Sequence, residues 1–393
     1  MSVSLFFTMW FLVIALAHWY VGWRLIGRSK LPKRGKIIGW GTVVFVFGLT
    51  QVIFLLRRNE SVWLDGLSWL AFILLGAFSL VVTFLLIRDI VYLVVRIVQR
   101  KQKRSAPEAD RGRRRFIIHS SNIGLLGLAA VTTGYGVIAS RRRAAIEQVE
   151  IELPNLPDEF DGFRIVQFTD LHVGPTIKRP FVETVVDQLQ SLNGDLVVFT
   201  GDLVDGSVSW LRDDVAPLGD ISAPYGKLFI TGNHEYYSGA GQWVNEAERL
   251  GFQVLLNEHT TLSRRDDSIV VAGVTDYGAG DYVPDHRSDP LRAFEGAPGN
   301  TVRILLAHQP RTIFATEALG IDLQISGHTH GGQFFPWNHL AALNQPYVQG
   351  KYRHGNTWVY VSRGTGYWGP PLRVGIPPEV TVLTLRKKSS QRV

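Results

Sequence analysis

Four long apolar runs precede residue 141, at roughly 4–26, 37–56, 66–87 and 116–139, and each approaches the ~20 residues that a helix needs to cross a bilayer. They predict an all-α transmembrane region over 1–145. Ile37–Leu56 carries no charge at all, which argues against a core helix of a soluble domain. The third run continues past Arg88 and Asp89 into Ile90–Val98, a continuation expected to lie along the interface. From about Glu150 the pattern changes to short apolar runs rich in β-branched and aromatic residues, which predict buried strands of an α/β domain over 150–388. The clearest are Arg164–Phe168, Leu196–Thr200, Leu228–Thr231, Ile269–Val274, Arg303–Ala307, Leu323–Ser326, Thr357–Val361 and Val380–Leu385. Between the first two, Arg179–Leu192 has the apolar spacing of an amphipathic helix and completes a βαβ unit.

Charge divides the chain at the same place. Residues 1–150 carry 21 Lys and Arg against 7 Asp and Glu, leaving 20 basic and 27 acidic residues beyond, so the overall +7 describes neither half. The positive charge flanks apolar runs, and the remainder offers no basic surface to a phosphate backbone; nucleic acid is therefore not an expected partner. Basic loops stay on the cytoplasmic side of a membrane. The loop after the first run holds Arg28, Lys30, Lys33, Arg34 and Lys36, that after the second only Arg57 and Arg58, and the segment Arg96–Arg115 holds nine basic residues. Alternation then places the N-terminus outside and everything after Arg141 on the extracytoplasmic face of a bacterial inner membrane, although Arg141, Arg142 and Arg143 oppose this mildly. Gly112-Arg-Arg-Arg-Phe-Ile117 is similar to a twin-arginine export signal, with Gly112 standing where Ser or Thr is usual; a stop-transfer charge cluster is the plainer alternative.

The residues directly after the predicted strands carry the chemistry. Asp170 and His172 follow the first strand, Asp202 the second, Asn233 and His234 the third, His308 the strand ending at Ala307, and His328 and His330 the strand ending at Ser326. Side chains just beyond the carboxyl ends of strands in an α/β sheet converge on one crevice. The chain has no Cys, so a metal there must be held by oxygen and imidazole donors, a set suited to Mn, Fe or Zn. Asp170, His172, Asp202, Asn233, His308, His328 and His330 exceed the needs of one ion. Two divalent ions sharing Asp202, which the tight Gly201-Asp202 turn brings to the centre, would use them all. Such a pair acidifies a bridging water and clamps the oxygens of an in-line displacement at phosphorus.

Asp170-Leu-His172, Gly201-Asp202-Leu-Val-Asp205, Gly232-Asn233-His234-Glu235, His308 and Gly327-His328-Thr-His330 resemble the ordered motifs of the calcineurin-like metallophosphoesterases. Leu305–Pro310, Ser326–Gln333 and Tyr360–Gly366 are similar to the membrane-anchored bacterial YkuE/YaeI-type branch. The resemblance implies a four-layer α/β/β/α sandwich. It gives Asp170, His172, Asp202 and His330 to one ion and Asp202, Asn233, His308 and His328 to the other. Asp202, Asn233 and His234 become catalytic, His234 as a non-ligand facing the scissile phosphate. Asp205 is expected to support the ligands, and Glu235, where the family more often has Asp, to orient His234 through a longer arm. Arg363 offers either a substrate contact or a partner for a local carboxylate, and Asp276 either support for the ligands or a turn. His259, His286, His339 and His354 are expected to be ordinary surface or core residues.

The expected activity is hydrolysis of a phosphomonoester or phosphodiester by a metal-bridging hydroxide, on a lipid-linked or envelope substrate that a membrane-anchored enzyme would meet. The alternative is a non-catalytic membrane scaffold that binds metal or a phosphorylated partner, an outcome expected of chains that have lost a ligand or the histidine, and this one keeps all of them.

Overall fold

A computed structural model describes the backbone of residues 3–56, 59–101 and 111–388 and the side chains of 8–56, 59–101 and 116–388. The chain forms two compact units, Met1–Val137 and Ile138–Val393.

The first unit contains α1 (Val3–Gly22), α2 (Lys33–Leu56), α3 (Val62–Lys101) and most of α4 (Arg111–Ser140). All four contain segments long and apolar enough to cross a membrane. Most of their large apolar side chains are exposed, as expected of helices whose solvent is hydrocarbon. α3 runs unbroken through Arg88 and Asp89 for 40 residues, about 60 Å at 1.5 Å per residue, so Ile90–Val98 belongs to the same helix. The charged pair is kept in the helix by partners. Asp89 is paired with Arg24 and Arg88 and accepts a 2.7 Å hydrogen bond from the Tyr20 hydroxyl, while Arg88 also donates to Asn122. Arg57, Arg58 and residues 102–110 of the basic segment lie outside the described residues, as do the side chains of Arg113, Arg114 and Arg115; the backbone of Gly112–Ile117 is helical within α4.

The second unit is built on two six-stranded sheets. The first holds β1 (Ala145–Leu153), β2 (Arg164–Phe168), β3 (Leu196–Phe199), β4 (Lys227–Phe229), β5 (Gln253–Val254) and β12 (Glu379–Lys387), in the order β1-β12-β2-β3-β4-β5. The second holds β6 (Glu258–Arg264), β7 (Asp267–Gly273), β8 (Arg303–Leu306), β9 (Leu323–Ser326), β10 (Gly350–His354) and β11 (Thr357–Val361), in the order β10-β11-β9-β8-β7-β6. β2 to β5 are parallel, as are β7, β8, β9 and β11, so the strands that matter for the site all end on one side of their sheet.

Alternate residues of each inner strand serve two cores. Ile165, Leu196, Val198 and Leu228 face Ile269, Val271, Ile304, Leu323 and Ile325 in a core between the sheets. Val166, Phe168, Val197, Phe199 and Phe229 point the other way, into a core closed by α5 (Arg179–Ser191), α6 (Val208–Val215) and α8 (Ala240–Arg249), the last preceded by the short α7 (Asn233–Ser238). α5 starts with Pro180 in its first turn and buries Phe181, Val182, Val185, Val186 and Leu189, one stripe at helical spacing. On the far face of the second sheet, Val270, Ala272 and Leu305 pack with Ala293 of α9 (Pro290–Ala293) and with Phe294. The result is the expected α/β/β/α layering, with both sheets rigid because both faces are covered.

Candidate metal centre

Each sequence-predicted donor leaves its strand within a few residues and turns inward. The backbone of these turns is stitched together, mainly among the loops of the first sheet and through His328 to the second. Asp170 N–H donates to Gly201 O at 2.9 Å and His172 N–H to Asp202 O at 3.2 Å. His328 N–H donates to the Asp170 carboxylate at 2.9 Å, and His234 N–H to Asp202 Oδ1 at 2.9 Å. Thus two of the carboxylates hold the loops that carry the histidines.

The convergence requires unusual backbone. Asp170, His172, Asp202, His328 and His330 have φ of 55°, 52°, 58°, 73° and 52°, and together they are five of the nine non-glycine residues with positive φ among those described. Left-handed conformations at residues with a Cβ cost about 1 kcal/mol or more each and persist where the surroundings enforce them. Two glycines make room. A Cβ on Gly232 would stand 2.2 Å from Asp202 Oδ1, and one on Gly327 2.3 Å from Asp170 Oδ2, so neither position accepts a side chain without moving a carboxylate.

Two of the donor groups that result flank Asp202. In one, His172 Nε2 lies 3.0 Å from His330 Nε2, which is 3.4 Å from Asp170 Oδ1. In the other, His308 Nε2 lies 3.1 Å from Asp202 Oδ2 and 3.2 Å from His328 Nδ1. Asp202 Oδ2 also stands 3.7 Å from His172 Nε2, which places this carboxylate between the groups. Asn233 opens α7 beside Gly232, and its Oδ1 is buried with no hydrogen-bond partner among the described residues. Asp170, His172 and His330 form one set able to hold a metal ion and Asp202, His308 and His328 another, while His172, Asp205 and His234 make a third that shares His172 with the first.

The electrostatics fit a cation. Burial raises the Asp170 carboxyl. Burial also opposes charge at Asp202 and His308, but their neighbours together outweigh it: His308 with His234 and His172 keeps Asp202 well below the usual carboxylate range, and Asp202 with Asp170 and Asp276 pushes His308 up to about 10. Burial and the neighbouring His308 charge push His328 down to about 3, so its ring is neutral and its lone pair free to bind. Orphaned Asn233 Oδ1, a neutral imidazole and crowded ring nitrogens are what a metal site looks like to a proton.

His234 sits beside this cluster, its Nε2 4.0 Å from Asp202 Oδ2. Its Nδ1 is bonded to Asp205, whose other oxygen is 3.3 Å from His172 Nδ1. Burial opposes its charge, yet Asp202 and Asp205 raise it to about 9. Here the expectation for Glu235 is corrected. Glu235 accepts from Asp202 N–H at 3.0 Å, Leu203 N–H at 2.7 Å and Gly232 N–H at 2.6 Å, so it braces the two metal loops and the imidazole is held by Asp205. Glu235 stands in the first turn of α7, and its carboxylate reaches back to the Gly232 N–H that precedes the helix.

Arg363 bonds Glu379 at 2.5 Å and pairs with Glu147, so its guanidinium is engaged by local carboxylates. Asp276 closes a turn by accepting from Gly278 N–H at 2.7 Å, and it also accepts from Gln309, the residue after His308, at 2.9 Å. His259, His286 and His354 bond Ala293 O, Tyr236 and Tyr347 respectively, and the His339 ring packs against Phe335. Sequence reasoning missed Arg373. Fully buried, it donates to His330 O at 2.9 Å, Arg363 O at 2.8 Å and Gly366 O at 2.5 Å, with Nη2 3.2 Å from His330 Nδ1. Its one signal was a charge set inside the apolar segment Pro370–Ile376.

The profile of the calcineurin-like phosphoesterases matches residues 163–332, which span every donor described. A "transmembrane protein with metallophosphoesterase domain" from Danio rerio is 34% identical over 379 residues, covering 93% of this chain and 84% of its own. The Bacillus subtilis metallophosphoesterase YkuE is 36% identical over 70% of this chain and 97% of its own, and Campylobacter jejuni Cj0846 29% identical over 96% and 97%. Among solved structures, a dimetal phosphatase from Danio rerio aligns at 11% identity and a TM-score of 0.32 over 52% of this chain and 88% of that one. The NAD nucleotidase of Haemophilus influenzae aligns at 14% and 0.35 over 51% of this chain and 45% of that one, so the chain spans less than half of that enzyme. With a relative matched along nearly its whole length and a family profile lying over the strand ends that carry the cluster, the chain belongs to the calcineurin-like phosphoesterases and is a phosphoester hydrolase.

Proposed function

We propose that residues 150–388 form a binuclear phosphoesterase, hydrolysing a phosphomonoester or phosphodiester, anchored by a membrane region over 1–145. The observation that carries the reading is the position of Asp202 between two donor groups. Asp170, His172, Asp202 and His330 would hold one divalent ion and Asp202, Asn233, His308 and His328 the other. Bound there, Mn, Fe or Zn would supply Lewis acidity, drawing charge from the phosphoryl oxygens and acidifying the attacking water. The chain's own residues do the rest. Asp205 fixes the His234 ring by its Nδ1, which leaves Nε2 facing the cluster. A ring held protonated by Asp202 and Asp205 can donate to a phosphoryl oxygen and hand its proton to the departing one. Glu235 keeps the Asp202 and Gly232 loops in register during this.

Purified full-length protein should retain close to two equivalents of divalent metal, lose turnover of bis(p-nitrophenyl) phosphate after chelation and regain it with Mn, Zn or Fe. Elemental analysis showing no bound metal after reconstitution would remove the proposal.

The basic loops support an extracytoplasmic catalytic unit in a bacterial inner membrane, delivered by α4 and its twin-arginine-like start. A reporter active only outside the cytoplasm, fused after Val393, should then be active; activity only from a cytoplasmic reporter reverses the topology.

A further inference from the structure

The chain enters the catalytic unit from its fourth apolar helix, and that entry is fastened to the rim of the metal site. Ser140, the last residue of α4, donates its hydroxyl to Pro371 O at 2.9 Å. Arg141 and Tyr367 both donate to Thr176 O, at 3.0 and 3.1 Å. The loop so clamped, Tyr367–Leu372, carries Trp368, whose ring lies 5.6 Å from that of His234 and is half exposed. The rim and the helix exit are therefore one piece of structure.

An apolar segment continues that rim. Gln333 is bonded to Trp368 in both directions, accepting from its N–H at 2.8 Å and donating to its carbonyl at 2.9 Å. After Gln333 and the buried Phe334 come Phe335 and α10 (Trp337–Ala341), and Phe335, Trp337 and Leu340 are each 44% exposed and Leu343 83%. Trp337 and Leu340 are three apart, on one side of a short helix. Exposed apolar groups gathered in this way on a folded domain mark a surface that meets something less polar than water. Beside the helix exit, Arg141, Arg142 and Arg143 are exposed, a cationic cluster of the kind that sits at phosphate headgroups.

We propose that this rim seats on the lipid–water interface, and that the metal site takes its phosphoester from there, as the headgroup of an amphiphile whose chains remain in the bilayer. The occupant follows from connectivity: Ser140, which bonds Pro371, ends a helix long and apolar enough to cross a membrane, and only Arg141–Ala144 separate it from β1. Aromatic side chains with a polar edge, such as Trp337 and Trp368, are the residues that favour that depth. The chemistry rests on the phosphoesterase reading; the docking rests on the rim alone.

The chain has no Cys, so Leu343→Cys gives a single labelling site. In proteoliposomes, an environment-sensitive fluorophore there should emit to the blue of the same label at the exposed turn residue Asp266, and doxyl lipids should quench it. Emission matching Asp266→Cys, without lipid quenching, overturns the docking; a 343–343 disulfide between copies assigns the face to a dimer and overturns it equally. In the same vesicles, the wild type should turn over hexadecyl p-nitrophenyl phosphate about tenfold better than the ethyl ester, and Leu340→Asp/Leu343→Asp should abolish that preference while leaving the ethyl ester rate unchanged. Equal rates for both esters in the wild type overturn the substrate class. Docking without turnover of either ester retains the interface and removes the phosphoesterase reading.

Discussion

Asp202→Ala is expected to lower turnover of an aryl phosphodiester at least about 10³-fold and to halve the metal retained. The size follows from position. Asp202 Oδ2 lies 3.1 Å from His308, 3.7 Å from His172 and 4.0 Å from His234, so it is the carboxylate that reaches both donor groups and the acid beside them. Its other oxygen accepts the His234 N–H, which ties the acid to the same anchor. Truncation also strands the His308 imidazole, whose raised protonation depends on this neighbour. A folding defect is separable: thermal unfolding of the variant should remain cooperative, because the cores between and outside the sheets do not include residue 202. Near-normal activity in a well-folded Asp202→Ala protein would falsify the shared-carboxylate arrangement.

The eight strands predicted from apolar runs all exist, and the four that were missed, β1, β5, β6 and β10, are the four sheet edges. This is a physical pattern. Inner strands here are buried on both faces and read as continuous Val, Ile, Leu and Phe. An edge strand has less to bury: β10 is Gly-Lys-Tyr-Arg-His and β6 begins Glu-His-Thr-Thr, sequences that an apolar-run criterion passes over. β1 alternates exposed and half-buried residues until Ile151, so only its end resembles a core strand. The unbroken α3 was hidden for a different reason. Arg88 and Asp89 interrupt the apolar text, but Tyr20, Arg24 and Asn122, remote in sequence, satisfy them in the helix.

At the site, the convergence of the His and Asp donors was legible because side chains just past the carboxyl ends of strands in an α/β sheet share one crevice. Supporting roles were less legible, since hydrogen bonding depends on arm length and direction. Glu235 follows His234 in sequence yet braces Gly201–Leu203, whereas Asp205, 29 positions earlier, reaches the ring. Arg373 shows the same limit: nothing in its local sequence indicates that His330 and three loop carbonyls converge on it.

The division between Asp205 and Glu235 sets the second large effect. His234→Gln should lower kcat by roughly 10²–10⁴-fold for an ester with a poor alkyl leaving group, and by far less for p-nitrophenolate, which departs without a proton. Metal content should not change, because the ring is not placed among the proposed ligands. Asp205→Asn, which keeps the shape but weakens the hold on Nδ1, should show the same dependence on leaving group at about a tenth to a hundredth of normal rate. Glu235→Gln should instead reduce metal retention, since its carboxylate supports the loop bearing Asp202 and not the ring. Equal losses across the leaving-group series would assign His234 to charge stabilisation in place of proton donation. Metal loss in His234→Gln would make it a ligand. The three variants therefore separate proton donation, ring orientation and loop bracing by readouts that a general loss of folding would move together.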